Sequence, residues 1–429
     1  MSRVKRPLPA LAAAGVLATA VIAGCGSTLK ATPTAAVAAQ SPAAPGSCPA
    51  TVLATLSSVL QRVYREGVHG ERIGSAEYLI THSQALRTAV ESDNRPAARA
   101  AAHALLATGH MTNLTITRGG QTLVNIGGPA LAPLQGTLTS ANGTPIANYR
   151  TSVWADNGFL IEAGGITQGV VVLRAGRSSM GWRSLGGSRS LGSSALANEG
   201  ALMLEHVAYQ YTSFPGEAYP SGALRVYLLI PASASAALCG PTPQDTAVNT
   251  LRHVAELIYT GELGQAAQKQ VQRVQHNTAL LEAVAHREPA ATEAAIKALL
   301  NEHIVRLRVS AAGQLLSDVG GPYVLAPVSA QLRLHGRTIG SFVLSIQDDE
   351  GYLRLTRRLA GLDVLMYMNP EDELVKDSLG PAPGPTLAAV PASGAYTYEG
   401  RSFRVFTVQA KAFPSGPLTI RVLVPIPYS

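Results

Sequence analysis

The chain has 429 residues, of which 46% are hydrophobic and 14% are charged, so it has enough apolar residues for two domains with full cores. Residues 1–24 carry three basic and no acidic side chains, and without them 34 − 3 = 31 Lys and Arg stand against 27 Asp and Glu. The remaining net charge of 31 − 27 = +4 is too small and too dispersed for a nucleic-acid-binding protein.

The first 24 residues predict export from the cytoplasm. Three basic residues open the chain, residues 10–23 are rich in Ala, Leu and Val, and small residues precede Cys25. The apolar stretch is shorter than the roughly 20 residues that a spanning helix needs, which favours a cleaved signal peptide over an uncleaved membrane anchor. The residues before Cys25 resemble a bacterial lipobox. We therefore expect Cys25 to be lipidated and the protein to be anchored at the extracytoplasmic face of the cell membrane.

The segment that follows predicts a flexible tether. Residues 25–47 are rich in Ala, Thr, Pro and Ser and contain a single charge. Residues 27–30 match the Ser-x-x-Lys motif of penicillin-binding enzymes, but a tether cannot preorganise a nucleophile. We therefore give this motif no catalytic role.

Two cysteines remain after Cys25. Cys48 and Cys239 bracket residues 48–240, and the ends of one domain usually lie close together. In an oxidising compartment this arrangement predicts a disulfide bond between them. Two free, buried thiols are the alternative.

The chain repeats one pattern after 319 − 126 = 193 residues. Three motifs recur in register: Gly-Gly-Pro at 127–129 and 320–322, Leu-Ala-Pro at 131–133 and 325–327, and Tyr/Phe-Pro-Ser-Gly at 219–222 and 413–416. Units of this length are folded domains, because solenoid repeats usually run about 20–50 residues. We predict a first domain at residues 48–240 and a second at residues 241–429.

Each repeat begins with helical periodicity and continues with strand-like alternation. Apolar residues from Val52 to Val90, and from Val248 to Val274, are spaced as in amphipathic helices. Beyond these stretches short alternating segments predict strands, and residues 351–358 predict a short helix. The pattern predicts an α+β fold in which a long N-terminal helix packs on a mainly antiparallel sheet of about five or six strands.

Two segments of the second repeat resemble the Cache family of extracellular, PAS-like bacterial sensor domains. Residues 336–349 are similar to the central strand of that family, and residues 413–425 are similar to its closing strand. The resemblance implies two tandem Cache-like domains that bind a small molecule, such as an amino acid, a carboxylate or an amine, on one face of the sheet. No signalling module follows the last strand, so we expect the protein to act with a membrane receptor, kinase or transporter.

If a pocket exists, its polar groups should come from the junction between a strand and the short helix. The candidate residues are Trp154, Asp156, Asp349, Tyr352 and Arg354. A carboxylate and a guanidinium beside an aromatic ring can hold a zwitterion or an amine. The alternative is local: Asp156 and Asp349 cap the short helix by accepting hydrogen bonds from its first amides.

The remaining chemistry-bearing residues do not predict catalysis. The histidines at 82, 110, 276 and 303 lack metal-ligand spacing, and the acidic run at 348–350 lacks the spaced oxygens of a calcium loop. We therefore expect no enzyme activity, cofactor or metal. Two functions remain: an accessory ligand-binding lipoprotein, or a structural or adhesion lipoprotein of the cell envelope without a ligand. A polar-lined cavity on a sheet face would favour the first.

Overall fold

The structure, a computed structural model, describes residues 44–175, 178–183, 196–204, 206–220, 222–261, 263–300, 304–368, 373–380, 384–414 and 416–427. The predicted signal peptide, the predicted lipidation site Cys25, most of the predicted tether and His303 lie outside these residues. Within them, no helix combines the length and the apolar character needed to cross a membrane.

The first repeat opens with helices and ends with long strands. Its elements are α1 Cys48–His69, α2 Glu71–His82, α3 Gln84–Glu91, α4 Arg95–Ala107, β1 Asn113–Arg118, β2 Gln121–Gly127, β3 Ala130–Leu131, β4 Leu134–Thr139, β5 Pro145–Ser152, β6 Trp154–Ala155, α5 Asp156–Thr167, β7 Val170–Ala175, β8 Ser178–Arg183, β9 Glu199–Leu204, β10 Val207–Tyr219, β11 Gly222–Pro231 and α6 Ala232–Ala237.

The second repeat has nearly the same order of elements. They are α7 Pro243–Gly261, α8 Gln265–Gln275, α9 Thr278–His286, α10 Pro289–Leu300, β12 Arg306–Ala311, β13 Gln314–Gly320, β14 Val324–Leu325, β15 Val328–Leu334, β16 Arg337–Ser345, β17 Gln347–Asp348, α11 Asp349–Ala360, β18 Asp363–Met368, β19 Glu373–Asp377, a 3-10 turn at Leu387–Ala389, β20 Gly394–Tyr398, β21 Arg401–Phe413 and β22 Gly416–Pro425.

The strands of each repeat form two antiparallel sheets, which we call the small and the large sheet. The small sheets are four-stranded, with the orders β2-β1-β5-β4 and β13-β12-β16-β15. The large sheets are seven-stranded, with the orders β6-β3-β10-β11-β7-β8 and β17-β14-β21-β22-β18-β19. In addition, β9 pairs with β10 and β20 pairs with β21.

The α+β prediction is confirmed, but the arrangement of the strands is richer than the sequence analysis expected. One sheet of about five or six strands per repeat was predicted, whereas each repeat divides its strands between two sheets. The chain passes from one sheet to the other at Ser152, whose hydroxyl donates to the Leu131 carbonyl and accepts from the Trp154 amide. Ser345 makes the same pair of bonds in the second repeat. The crossing strands are two residues long, too short to leave an alternating pattern in the sequence.

Separate apolar cores lie under the small sheets. In the first repeat, α2, α3 and α4 bury residues such as Ile80 and Leu86 against the strand residues Leu114 and Ile116. In the second repeat α8, α9 and α10 cover the small sheet in the same way. The amphipathic spacing of these helices therefore matches one apolar face of each small sheet.

The large sheets of the two repeats share one core. Its helices are α1 and α5 from the first repeat and α7 and α11 from the second. Helix α1 contacts α7 and α11, and α7 contacts α5, so the two repeats meet in the same way from both sides. This internal pseudo-twofold arrangement buries the long N-terminal helices against each other. The division of the chain after residue 240 stays a prediction.

The predicted disulfide is present. It joins Cys48, the first residue of α1, to Cys239, and their Cα atoms are 5.5 Å apart. The bond closes a sequence separation of 191 residues. It therefore connects the start of the first repeat to the segment that leads into the second.

Candidate functional site

At the strand-to-helix junction of the second repeat, the carboxylates bind backbone amides at the start of α11. The Asp348 carboxylate accepts from the Gly351 amide at 2.7 Å, and the Asp349 carboxylate accepts from the Glu350 amide at 2.9 Å. Asp348 is the N-cap of α11. A carboxylate therefore caps this helix, but it belongs to the residue before Asp349, which was the expected cap. Burial raises the pKa of Asp349, although Lys376 acts in the opposite direction.

In the first repeat the corresponding carboxylate makes a similar local bond. Asp156 accepts from the Asn157 amide at 2.7 Å. Trp154 is 3% exposed and belongs to the shared core, and the Arg72 guanidinium lies over its ring at 4.9 Å. The indole of Trp154 therefore packs inside the protein, where its ring contacts Phe159 of α5 edge to face at 5.9 Å.

The other two predicted residues lie in different environments. Tyr352 is fully buried, and its hydroxyl donates to the Ala255 carbonyl of α7 at 3.1 Å, while burial raises its pKa. Arg354 is on the surface, with Nε 3.6 Å from Glu71 Oε2. The structure places one in the shared core and the other in solvent. Ligand contact by these predicted residues stays a prediction.

A cavity of about 1030 Å³ lies on the face of the second large sheet that is turned away from the shared core. We call it the outer-face cavity. Its lining comes from β19, from the segment that contains the 3-10 turn, and from β22: Glu373, Leu374, Gly384, Pro385, Thr386, Leu387, Ala388, Val390, Pro391, Ala392 and Arg421. These pieces are far apart in the sequence, and the antiparallel sheet brings them together.

Apolar packing and two hydrogen bonds hold the covering segment, residues 384–392, over the sheet. Val390 is 2% exposed and packs with buried strand residues such as Leu365 and Phe403. The Tyr367 hydroxyl donates to the Pro385 carbonyl at 2.8 Å, and burial raises the pKa of Tyr367. The Thr407 hydroxyl donates to the Ala392 carbonyl at 2.6 Å and accepts from the Arg421 guanidinium.

The wall of the cavity combines opposite charges with apolar surface. Glu373 supplies a carboxylate, Arg421 supplies a guanidinium, and Leu374, Leu387 and Val390 supply apolar groups. Concave sites with an apolar lining and a few placed polar groups are typical of small-molecule binding.

The outer face of the first repeat carries the same two residue types in exchanged places. Arg174 corresponds to Tyr367 and Tyr227 corresponds to Arg421, according to the matching registers of β7 and β11 with β18 and β22. The Tyr227 hydroxyl donates to the Leu196 carbonyl at 3.3 Å, as Tyr367 donates to Pro385. The two outer faces are therefore built alike but are not chemically identical.

Sequence reasoning missed the outer-face cavity. Arg421 was a possible signal, because it interrupts a strand that is otherwise apolar or hydroxylic from Leu418 to Val424. Glu373 gave no signal of its own. Within the described residues, no group of three or more His, Cys, Asp or Glu is placed to hold a metal ion.

Comparisons with known proteins give only distant structural similarity. No family model matches the chain, and a search of curated proteins also finds no match. The periplasmic domain of Vibrio cholerae LuxQ is similar with a TM-score of 0.28 and 11% identity, over 43% of this chain and 98% of that one. An extracellular ligand binding receptor from Desulfohalobium retbaense DSM5692 has a TM-score of 0.24 and 12% identity, over 53% of this chain and 47% of that one. Both TM-scores are too low to carry an argument about function.

Proposed function

We propose that this chain is an extracytoplasmic binding protein that holds a small organic molecule in the outer-face cavity of its second repeat. The observation that carries the proposal is the cavity itself, with a carboxylate, a guanidinium and three apolar side chains in one wall. Its volume of about 1030 Å³ is at the upper end of the roughly 300–1,000 Å³ typical of ligand sites. The ligand class remains an amino acid, a carboxylate or an amine.

The cavity supports one of the two functions that the sequence left open. A structural lipoprotein that had lost its pocket should fill the outer face with side chains, whereas the described lining leaves space beside charged and apolar groups. Glu373 can pair with an ammonium group, Arg421 can pair with a carboxylate, and the leucines can contact an apolar body. This arrangement favours the binding role.

The cellular part of the proposal rests on the sequence. The signal peptide and Cys25 predict a lipid-anchored protein, and the tether of residues 25–47 would let the folded part move near the membrane. The proposed role is that of an accessory sensor, which presents its ligand state to a membrane receptor, kinase or transporter.

A thermal-shift screen of residues 47–429 against amino acids, carboxylates and amines tests the binding role. A compound that binds only the folded protein stabilises it by about 2.7 kcal/mol at a hundredfold excess over its dissociation constant. For a carboxylate we expect Arg421→Gln to reduce affinity at least tenfold, and for an amine we expect this from Glu373→Gln. Arg404→Gln is the matched control, because it removes a guanidinium from the neighbouring strand β21 that pairs with Asp245 at 3.7 Å and does not line the cavity.

Two results would count against this proposal. The first is a clean cooperative melt with no response to any compound, which would favour the structural or adhesion role. The second is a hit whose affinity is unchanged by both Arg421→Gln and Glu373→Gln, which would move the site elsewhere. If Asp349→Asn removes binding while stability is retained, the strand-to-helix junction is the site. We expect no such loss, because that carboxylate accepts a local hydrogen bond from the Glu350 amide.

A further inference from the structure

A second concavity lies at a place where the two repeats carry different side chains. In the second repeat a groove of about 590 Å³ lies between the C-terminal end of α9 and strands β12, β16 and β15 of the small sheet. We call it the helix-end groove. Its lining consists of Val284, Ala285, Arg287, Ser310, Ala312, Gly313, Gln331, Thr338, Ile339, Gly340 and Ser341.

In the first repeat an arginine covers the corresponding helix end. Arg118 is the last residue of β1, and its guanidinium donates to the Val90 carbonyl at 2.8 Å and to the Glu91 carbonyl at 3.3 Å. These two carbonyls belong to the last turn of α3, where backbone oxygens lack partners within the helix. The guanidinium thus binds the negative end of the helix dipole.

The second repeat keeps the acceptors but lacks the arginine. Helix α9 corresponds to α3, so Val284 and Ala285 correspond to Val90 and Glu91, and both line the groove. The last residue of β12, which corresponds to Arg118, is Ala311. Its side chain ends at Cβ and cannot reach the helix end. The helix-end groove therefore lies where the first repeat places a guanidinium.

The rest of the lining is polar but nearly uncharged. Ser310, Ser341, Thr338 and Gln331 offer hydroxyl and amide groups, and no carboxylate lines the groove. Gly340 and Ser310 lie on the neighbouring strands β16 and β12, and a Cβ on Gly340 would lie 2.6 Å from the Ser310 carbonyl oxygen. The groove is therefore bounded by hydrogen-bonding groups on several sides.

Arg287 is the one charged residue among those that line the groove, and the equivalent residue of the first repeat, Asp93, has the opposite charge. Arg287 has a left-handed backbone with φ of 55°, and its counterpart Asp93 has φ of 52°. A plain cation in the groove would be repelled by the nearby arginine. A molecule that also carries a carboxylate gains a partner from the same side chain.

We propose that the helix-end groove binds a small molecule with a guanidinium or primary ammonium group at one end and a carboxylate at the other. The Val284 and Ala285 carbonyls accept from the cationic end, as Val90 and Glu91 accept from Arg118. Arg287 pairs with the carboxylate. This site is separate from the outer-face cavity, and the inference does not depend on the function proposed for that cavity.

The test uses L-arginine and agmatine, its analogue without the carboxylate, measured by calorimetry with the folded chain from residue 47. We expect L-arginine to bind at least tenfold more tightly than agmatine. Ala311→Arg copies the first repeat, so its guanidinium should occupy the groove and abolish binding of both probes. Arg287→Asp copies Asp93 with the same backbone conformation and should reverse the preference in favour of agmatine.

The outcomes separate this groove from other sites and from misfolding. Arg421→Gln in the outer-face cavity should leave the affinity for L-arginine unchanged. The inference is overturned if neither probe binds at millimolar concentration, or if binding survives Ala311→Arg. It is also overturned if Arg287→Asp leaves the ratio of the two affinities unchanged. Arg287→Asp therefore tests the inference even if Ala311→Arg does not fold, which the absence of a cooperative melt would show.

Discussion

Replacing Arg358 with methionine should weaken the contact between the two repeats. Arg358 lies on α11, and its Nε is 3.0 Å from Oε2 of Glu66 on α1. The two side chains are 16% and 10% exposed, so the pair is largely shielded from water. The space around Glu66 is tight, because a Cβ on Gly70 would lie 2.1 Å from its Oε2. Arg358→Met therefore leaves a buried carboxylate with little room to move toward solvent.

The size of the effect follows from this geometry. At 3.0 Å and an effective dielectric constant of about 20, the attraction is roughly 5 kcal/mol before desolvation of the arginine is subtracted. Removing one partner of a buried pair typically costs about 3–5 kcal/mol, and Arg72 remains near Glu66. We expect a loss of about 3 kcal/mol in the free energy of unfolding at pH 7.5.

The same variant should show a characteristic pH dependence. Burial already raises the pKa of Glu66, against the effects of Arg358 and Arg72. A carboxyl with a raised folded-state pKa contributes stability that is present below its unfolded pKa and is lost as the pH rises through the folded value. Without Arg358 the folded pKa should rise further. The loss in Arg358→Met should therefore shrink as the pH is lowered from 7.5 toward 5.

Urea unfolding at pH 7.5 and pH 5 measures both effects. Glu66→Gln is the matched control. In this variant Arg358 still has a carboxylate partner, because its Nη1 is 3.8 Å from Oε2 of Glu71. We therefore expect Glu66→Gln to lower the free energy of unfolding by only about 1 kcal/mol. A loss below 1 kcal/mol for Arg358→Met at pH 7.5, or one that does not shrink at pH 5, would refute the reasoning.

Three further predictions concern stability. Replacing Cys48 and Cys239 with serine opens a separation of 191 residues, and the loop-entropy model gives a loss of up to about 5 kcal/mol in chemical denaturation. Burial opposes ionisation of Asp318, but hydrogen bonds from two arginines hold its pKa below the usual range. Its contribution is therefore present above pH 4 and lost as the pH falls further, so wild type should lose more stability than Asp318→Asn in acid melts. Tyr352→Phe removes the bond to the Ala255 carbonyl and should cost about 1 kcal/mol in urea unfolding, whereas an unchanged midpoint would show that this bond contributes nothing.

Local features of the fold could be predicted from the sequence. The short helix expected at residues 351–358 lies within α11 at Asp349–Ala360. Glycines near the end of the long helices marked their boundaries, since α1 ends at His69 beside Gly70. These features depend on neighbours in the chain, which a sequence pattern records directly.

Features that depend on distant parts of the chain could not be predicted. The division into two sheets depends on pairings such as Leu131 with Trp154, which no local pattern encodes. The placement of Tyr352 in a core that the other repeat completes is also not encoded by any local pattern. The outer-face cavity joins Glu373 to Arg421 across 48 residues, 421 − 373, and neither residue stands in a motif. The strand-to-helix junctions, in contrast, carry local signals such as Asp349 followed by Gly351.

The shared core means that the chain carries its own dimer partner. Because the two repeats are joined by a few residues between Cys239 and the start of α7 at Pro243, dilution cannot separate them, and their contact forms at a high effective concentration. In a homodimer every mutation is present on both sides of the axis, but a duplicated chain can change one side alone. Two such one-sided differences are Arg118, whose equivalent in the second repeat is Ala311, and Arg358, whose equivalent in the first repeat is Gly165. Covalent fusion thus allows one half to keep a filled, structural surface while the other half acquires an open one.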